Sequence, residues 1–275
     1  MWDRIEPLMP AHPVRGRRWA DHRRTLEAIA WKYRTNSPWR DLPHELGPFQ
    51  TAHKRLIRWA VDGTWEMILA AVLAAADADD DLDWTVSVDS TVVRAHQHAA
   101  GARKRGRPAR ESADHALGRS RGGLSTKVHL AADGRARPLA FTVIAGQAGD
   151  APAFETVMSR IRVPRRGPGR PRTRPLAVLA DRAYSSRAIR AHLRRRGIRA
   201  VIPQPSDQIG HRLRRGRLGG RPPGFDSDAY KQRNTVERCI NRLKQWRGLA
   251  TRTDKLAIAY QAALHLAGIL IWTRR

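Results

Sequence analysis

An α/β chain is expected: a mixed five-stranded sheet with helices on both faces, preceded by a small all-α domain of helix-turn-helix type. Three observations carry this. The first 75 residues keep a helical period and hold six of the nine tryptophans. An acidic break at residues 75–83 then separates them from a run that alternates every two residues. Beyond it the order is three strands, helix, strand, helix, strand, loop, helix, which describes a meander continued by alternating helices and strands. The expected domains are residues 1–78 and 79–275.

In the first domain, Asp21 is placed to cap a helix through about Arg34, because Leu26, Ile29, Ala30 and Tyr33 recur at helical spacing. Pro38 starts a short helical segment to Leu42. Gly47-Pro48 precedes a helix carrying Leu56, Trp59 and Ala60 that ends near Gly63. Three or four short helices with tight turns have the rhythm of a module whose second helix enters a major groove. Lys54, Arg55 and Arg58 would form its basic face; the alternative is a set of solvated charges on a bundle.

In the second domain, residues 85–93 alternate Val86, Val88, Ser90 and Val92 against Ser87, Asp89, Thr91 and Val93, the mark of a strand. Two further strands, 125–131 and 138–145, flank Asp133-Gly134, a hairpin signal. A helix from about Asp150 to Ile161 follows, then a basic loop, then the apolar strand 176–180. Ser185 or Ser186 caps a helix that stops before Gly197, and 199–203 is the fifth strand. Residues 204–225 read as a loop and 228–246 as one helix. The apolar stretch 256–272 falls short of the ~20 residues that span a bilayer, and it is expected to be a buried helix. With no signal peptide evident in residues 1–10, a cytoplasmic protein without membrane attachment is expected.

The composition narrows the partner. Fifty-two Lys and Arg against 25 Asp and Glu give a formal charge of +27. Nucleic acid is the first candidate for so basic a chain. Only seven of the 52 are Lys, so a genomic bias toward Arg codons is part of the explanation. Such a bias does not require the charges to stay unbalanced. Stretches 103–121, 165–174 and 212–221 concentrate the arginines, either solvated or aimed at a phosphate backbone. Cys239 is the sole cysteine and sits in an apolar helical pattern, which excludes an intrachain disulfide and suggests a core residue. His96 and His98 lack further partners at zinc spacing.

Three carboxylates stand out. Hard divalent cations prefer oxygen ligands, and two-metal phosphodiester chemistry needs clustered carboxylates. Asp89 lies in the middle of a strand and Asp181 at the carboxyl end of an apolar one, where sites often form. Either is by itself as readily a turn or cap residue. On the following helix, Tyr230, Arg233, Glu237 and Lys244 fall within about a 60° sector, with Val236, Cys239, Ile240 and Leu243 on an adjacent apolar stripe. Glu237 could equally be a surface residue paired with Arg233 four positions earlier. Spacing alone leaves these readings level.

The pattern Tyr230, two residues, Arg233, three residues, Glu237, six residues, Lys244 resembles the signature of the DDE transposases of bacterial insertion sequences, in the insertion sequence 5 branch of the insertion sequence 4 superfamily. The segments around Asp89-Ser-Thr and Asp181-Arg-Ala-Tyr184 resemble those bearing that family's first two acids. Asp21-His22-Arg23-Arg24 and residues 37–43 resemble its N-terminal helical domain. The resemblance implies an RNase H-like fold and a catalytic triad of Asp89, Asp181 and Glu237 holding two Mg²⁺ ions, with Mn²⁺ able to substitute. It further implies cleavage at the inverted-repeat ends of an insertion sequence in double-stranded DNA, joining of 3′-OH ends to target DNA, phosphate contacts from Arg233 and Lys244, and positioning of the DNA there by Tyr230. A homodimer in the synaptic complex and association with the bacterial nucleoid follow from the same resemblance. Two alternatives stand beside it: a non-catalytic DNA-binding descendant, which has no need of the triad, and an RNase H-fold nuclease.

Overall fold

The computed structural model describes residues 1–16, 18–101 and 108–274. Part of the first arginine-rich stretch, residues 103–107, therefore lies outside the described residues. The N-terminal region comprises α1 (Trp2–Ile5), α2 (His22–Thr35), α3 (Phe49–Asp62) and α4 (Thr64–Ala78). The local signals explain their ends. The Asp21 carboxylate accepts the Arg24 amide at 2.6 Å and caps α2. Pro48 precedes α3, and Gly63 closes it with φ 85°, a left-handed value that glycine adopts at little cost.

The sheet begins at β1 (Thr85–Ala95), followed by β2 (Gly118–Ser120), β3 (Gly123–Ala132) and β4 (Pro138–Ala145). Then come α5 (Asp150–Ser159), β5 (Ala177–Ala180), α6 (Arg187–Arg195), β6 (Arg199–Val201), α7 (Ser206–Arg214), α8 (Ser227–Tyr230), α9 (Asn234–Lys244), α10 (Arg247–Ala250), β7 (Thr251–Arg252) and α11 (Ala257–Thr273). β3 is antiparallel to β1 and β4, whereas β5 runs parallel to β1 and β6 parallel to β5. The sheet is thus five strands wide, in the order β4-β3-β1-β5-β6. The two short strands continue existing edges: β2 extends the β4 edge of β3, and β7 extends the β5 edge of β1. The expected mixed sheet is present, with these two additions.

Alternation along β1 assigns the faces. Asp89, Leu130 and Phe141 are in register and share one face, where Phe141 meets His265 of α11 with ring centroids 5.7 Å apart. Ser90, His129 and Thr142 share the other, where Ser90 reaches Asp150 of α5. α11 is buried on almost every side, and one hydrophobic core runs from Ile29 and Trp59 through Tyr260 and Leu264 to Val88. α4 ends at Ala78 and β1 begins at Thr85, yet the helices before that turn and the sheet after it pack on the same α11. Among the described residues no single helix is long and apolar enough to cross a membrane.

Three sequence expectations need correction. Residues 204–225 are not only loop, because α7 and a 3-10 turn at Gly216–Gly219 form there. Residues 228–246 are not one helix: α8 stops at Tyr230, Lys231–Arg233 is a 3-10 turn, and α9 starts at Asn234. Arg55 does not belong to a basic surface. Its guanidinium lies 4.0 Å from the Trp19 ring and 5.0 Å from Trp59, its Nη1 is 3.1 Å from His22 Nδ1, and it is 5% exposed. Stacking between two indoles stabilises a weakly hydrated guanidinium there. Lys54 and Arg58 remain exposed.

Candidate catalytic site

β1 and β5 bring two of the predicted acids together. Their parallel pairing ends at Val88 opposite Ala180, so Asp89 and Asp181 are the next residue on each of two adjacent strands. Past this point β5 turns away, because the Asp181 carboxylate accepts the Ala183 amide at 2.9 Å and caps the turn Arg182–Tyr184. The capping role anticipated for such a residue is thus real, and it sits beside Asp89 as well. Asp89 is largely buried, with its Oδ1 accepting the Ser90 amide at 2.7 Å.

α9 delivers the third acid. Its apolar stripe of Val236, Cys239 and Leu243 is buried toward the sheet, with Ile240 partly covered. The Thr235 hydroxyl donates to the buried Ser87 hydroxyl at 2.9 Å, fixing the helix two residues from Glu237 to the strand two residues from Asp89. Arg233 closes the arrangement: Nη2 donates to Asp89 Oδ2 and Nη1 to Glu237 Oε1, each at 2.6 Å. Distances this short are typical of charge-assisted bonds. The local pairing of Arg233 with Glu237 and the convergence on Asp89 therefore coexist, with the guanidinium bridging both acids. Among the described residues, no three His, Cys, Asp or Glu side chains are gathered tightly enough to enclose an ion.

The other predicted positions are spread out. Tyr230 packs on Ala177, Leu179 and Val201 at the β5–β6 edge, with Phe225 5.3 Å from its ring. Lys244 is half-buried at the end of α9 beside Thr91, Leu130 and Leu249. Seven residues of helix put it about 10 Å along the axis from Glu237. His96 and His98 contact one another edge to face, 4.5 Å apart. Sequence reasoning gave no role at the site to Tyr184, Ser90, Asp150 or Lys127. The Tyr184 phenol is held far above its usual pKa, first by burial and then by Asp150, Asp89 and Asp181, so it remains a neutral hydroxyl beside the acids. Only its place three residues after Asp181 could have signalled it.

Burial raises the pKa of Asp89 above its ordinary 3.8, with Asp181 and Glu237 adding to the rise, while the Ser90 amide and Arg233 oppose it. Arg233 is held above its ordinary pKa, since its attraction to Asp89 and Glu237 outweighs burial. The sign of the pH effect follows. Protonation removes the charge of Asp89 as pH falls through this raised value, so a cation held by the cluster would be lost above the pH of an ordinary aspartate. Mn²⁺ affinity measured against pH checks this, and a midpoint at or below 3.8 would contradict it.

A mixed sheet with one acid inside β1 where its parallel pairing with β5 ends, a second directly after β5 and a third on a packed helix is an RNase H-like arrangement. Residues 81–272 match the family model described as "Transposase DDE domain", and residues 1–69 match "Putative transposase of IS4/5 family". The chain belongs to the DDE transposase family, and it is a DDE-type DNA transposase. It is 41% identical over 105 residues to "Uncharacterized protein y4sN" of Sinorhizobium fredii, covering 38% of this chain and 79% of that protein. It is 29% identical over 151 residues to "Putative transposase for insertion sequence element IS6501" of Brucella ovis, covering 55% of this chain and all of that protein. Among solved structures, the Mos1 strand transfer complex is 13% identical over 88% of this chain and 80% of that one, with a TM-score of 0.28, too distant a likeness to carry an argument.

Proposed function

We propose that the chain binds the inverted-repeat ends of an insertion sequence as double-stranded DNA, hydrolyses strands there, and joins the resulting 3′-OH ends to target DNA. The observation that carries this is the placement of Asp89 and Asp181 side by side at the end of their β1–β5 pairing, with Glu237 joined to Asp89 through Arg233. The donor set suits a hard divalent cation in its chemistry, since all three groups are carboxylates; burial raises Asp89, and Asp181 and Glu237 add to the rise. Asp89, Asp181 and Glu237 would hold Mg²⁺ or Mn²⁺, two ions in the full reading. Such ions activate an attacking hydroxyl and stabilise the departing oxygen of a phosphodiester.

The chain's own groups do the remaining work. Arg233 neutralises Asp89 and Glu237, and a phosphate brought beside it offers the guanidinium an alternative bidentate partner. Asp89 and Glu237 would then be free to hold a cation. Tyr230, and Lys244 farther along α9, contact the DNA flanking the scissile bond. The exposed arginines of residues 165–174 and 212–221, together with Lys54 and Arg58, hold the backbone. Asp150 and Lys127 pair on the opposite side of β1 and leave the reacting side acidic. Pairing of two transposon ends calls for a homodimer, and the site of action is the bacterial nucleoid.

Incubation with labelled end DNA, a target plasmid and Mg²⁺ tests this. Joined products are expected. Cut products without joining would mean a nuclease, and a mobility shift without cutting would mean a DNA-binding protein.

A further inference from the structure

We propose that Asp150 is a positioning residue for Asp89, acting through Ser90; the inference rests on the metal-dependent reading of the Asp89 cluster. Ser90 faces away from that cluster, yet it is bonded to both sides. Its amide donates to Asp89 Oδ1 and its hydroxyl donates to Asp150 Oδ1, each at 2.7 Å. Lys127 Nζ donates to the same Asp150 oxygen at 3.1 Å and to the Ala148 carbonyl at 2.7 Å. The result is a continuous chain of contacts from β3 to the acid: Lys127, Asp150, Ser90, Asp89.

The strand needs such a hold at this point. On its β5 side, β1 is paired up to Val88 and again from Arg94, where β7 begins. Between them Asp89 and its next four residues have only the β3 side as a strand partner. That gap removes half of the ladder that would otherwise fix the Asp89 backbone. The Asp150 carboxylate supplies the missing restraint from the opposite face, at the first residue of α5, where the helix dipole favours an anion.

The chemistry of the neighbourhood supports a specific role. The Lys127 side chain is 12% exposed and that of Asp150 29%, so this ion pair has lost much of its hydration. An apolar pair would be about as stable in such a place. His129 lies opposite Ser90 on β3, fully buried with neither ring nitrogen hydrogen-bonded, and its pKa is lowered to about 4, first by burial. It is therefore neutral at physiological pH. Lys127 is then the cation that neutralises Asp150, and no further positive charge from His129 competes for the Asp89 side of the strand.

Mn²⁺ binding to the full-length protein with end DNA, followed by electron paramagnetic resonance, tests the proposal. Ser90→Ala removes one hydroxyl and no charge. It is expected to weaken Mn²⁺ binding about tenfold, as loss of a group that orients a metal ligand does, with end-DNA affinity and melting temperature unchanged. Ser90→Thr, which keeps the hydroxyl, should restore binding. Asp150→Ala should weaken binding at least as much. An unchanged Mn²⁺ affinity in Ser90→Ala overturns the proposal, even if Asp150→Ala is impaired, because that pattern reports only a lost negative charge. Absence of Mn²⁺ binding by the wild-type complex would instead overturn the reading of the carboxylates themselves.

Discussion

Glu237→Gln is expected to leave binding to transposon-end DNA intact while lowering Mg²⁺-dependent strand cleavage by at least about 10³-fold, on the order of 4 kcal/mol of transition-state stabilisation. The substitution is nearly isosteric. The amide oxygen can still accept from Arg233, so the bridge now made at 2.6 Å survives in weakened form and α9 keeps its place. The buried contacts of Val236, Cys239 and Leu243, and the Thr235–Ser87 bond, are untouched. What is lost is one negative charge and one anionic oxygen ligand. A gel-shift assay beside a cleavage time course reads both quantities. Cleavage at the wild-type rate would remove Glu237 from the catalytic set and leave its pairing with Arg233 as its whole role.

The largest effect on stability is expected from Arg252→Met. Arg252 is fully buried on β7, and its guanidinium is the hub that joins three parts of the chain. Nη1 donates to Thr126 Oγ1 at 2.6 Å and to the Ala116 carbonyl at 3.2 Å, while Nη2 donates to the His115 carbonyl at 2.9 Å. Nε donates to the Asp254 carbonyl at 3.0 Å. The Asp254 carboxylate in turn accepts the Tyr33 hydroxyl at 2.9 Å, which carries the network into α2. Methionine fills much of the volume but takes these donors away, leaving the Ala116 carbonyl with the Thr126 hydroxyl alone, and removes a positive charge from the vicinity of Asp254, whose pKa is already raised by burial. A cost of about 3–5 kcal/mol is expected, or a fall in melting temperature on the order of 10 °C. Arg252→Lys keeps the charge but not the planar fork, so an intermediate loss is expected. Thermal unfolding of the three proteins measures it, and a loss under about 1 kcal/mol for Arg252→Met would show that the hub contributes little.

Local chemistry makes much of the fold legible in the sequence. Asp21 as a cap, Pro48 and Gly63 as the bounds of α3, and Ser186 ahead of α6 are signals contained within four residues, and the structure uses each of them. The strand at Pro138–Ala145 is readable from the Asp133-Gly134 hairpin signal, and the start of β1 at Thr85 from an alternation of two. Helical period is a weaker guide where the chain is mostly polar. It reads straight through Lys231–Arg233, where the structure has a 3-10 turn, and it gives no account of α7, none of whose residues is buried. Arg55 was misplaced for a related reason. A guanidinium on a helix reads as a surface charge unless the aromatic partner is known, and Trp19 lies 36 positions away.

The candidate site divides in the same way. Sequence alone established which residue types were on offer: an acid within a strand, an acid after an apolar strand, and Tyr230, Arg233, Glu237 and Lys244 at a spacing that marks a family. Those facts depend on short-range order and on a linear motif. Tertiary structure decided that Asp89 and Asp181 lie next to each other, that Arg233 bridges Asp89 to Glu237, and that Tyr230 packs at the β5–β6 edge while Lys244 lies farther along α9. It also brought in Asp150 and Lys127, which reach Asp89 only through Ser90. The physical reason is distance along the chain. Strand register, the break between α8 and α9 and the hydrogen bond between residues 60 positions apart are all set by packing against other elements, and no local periodicity encodes that packing.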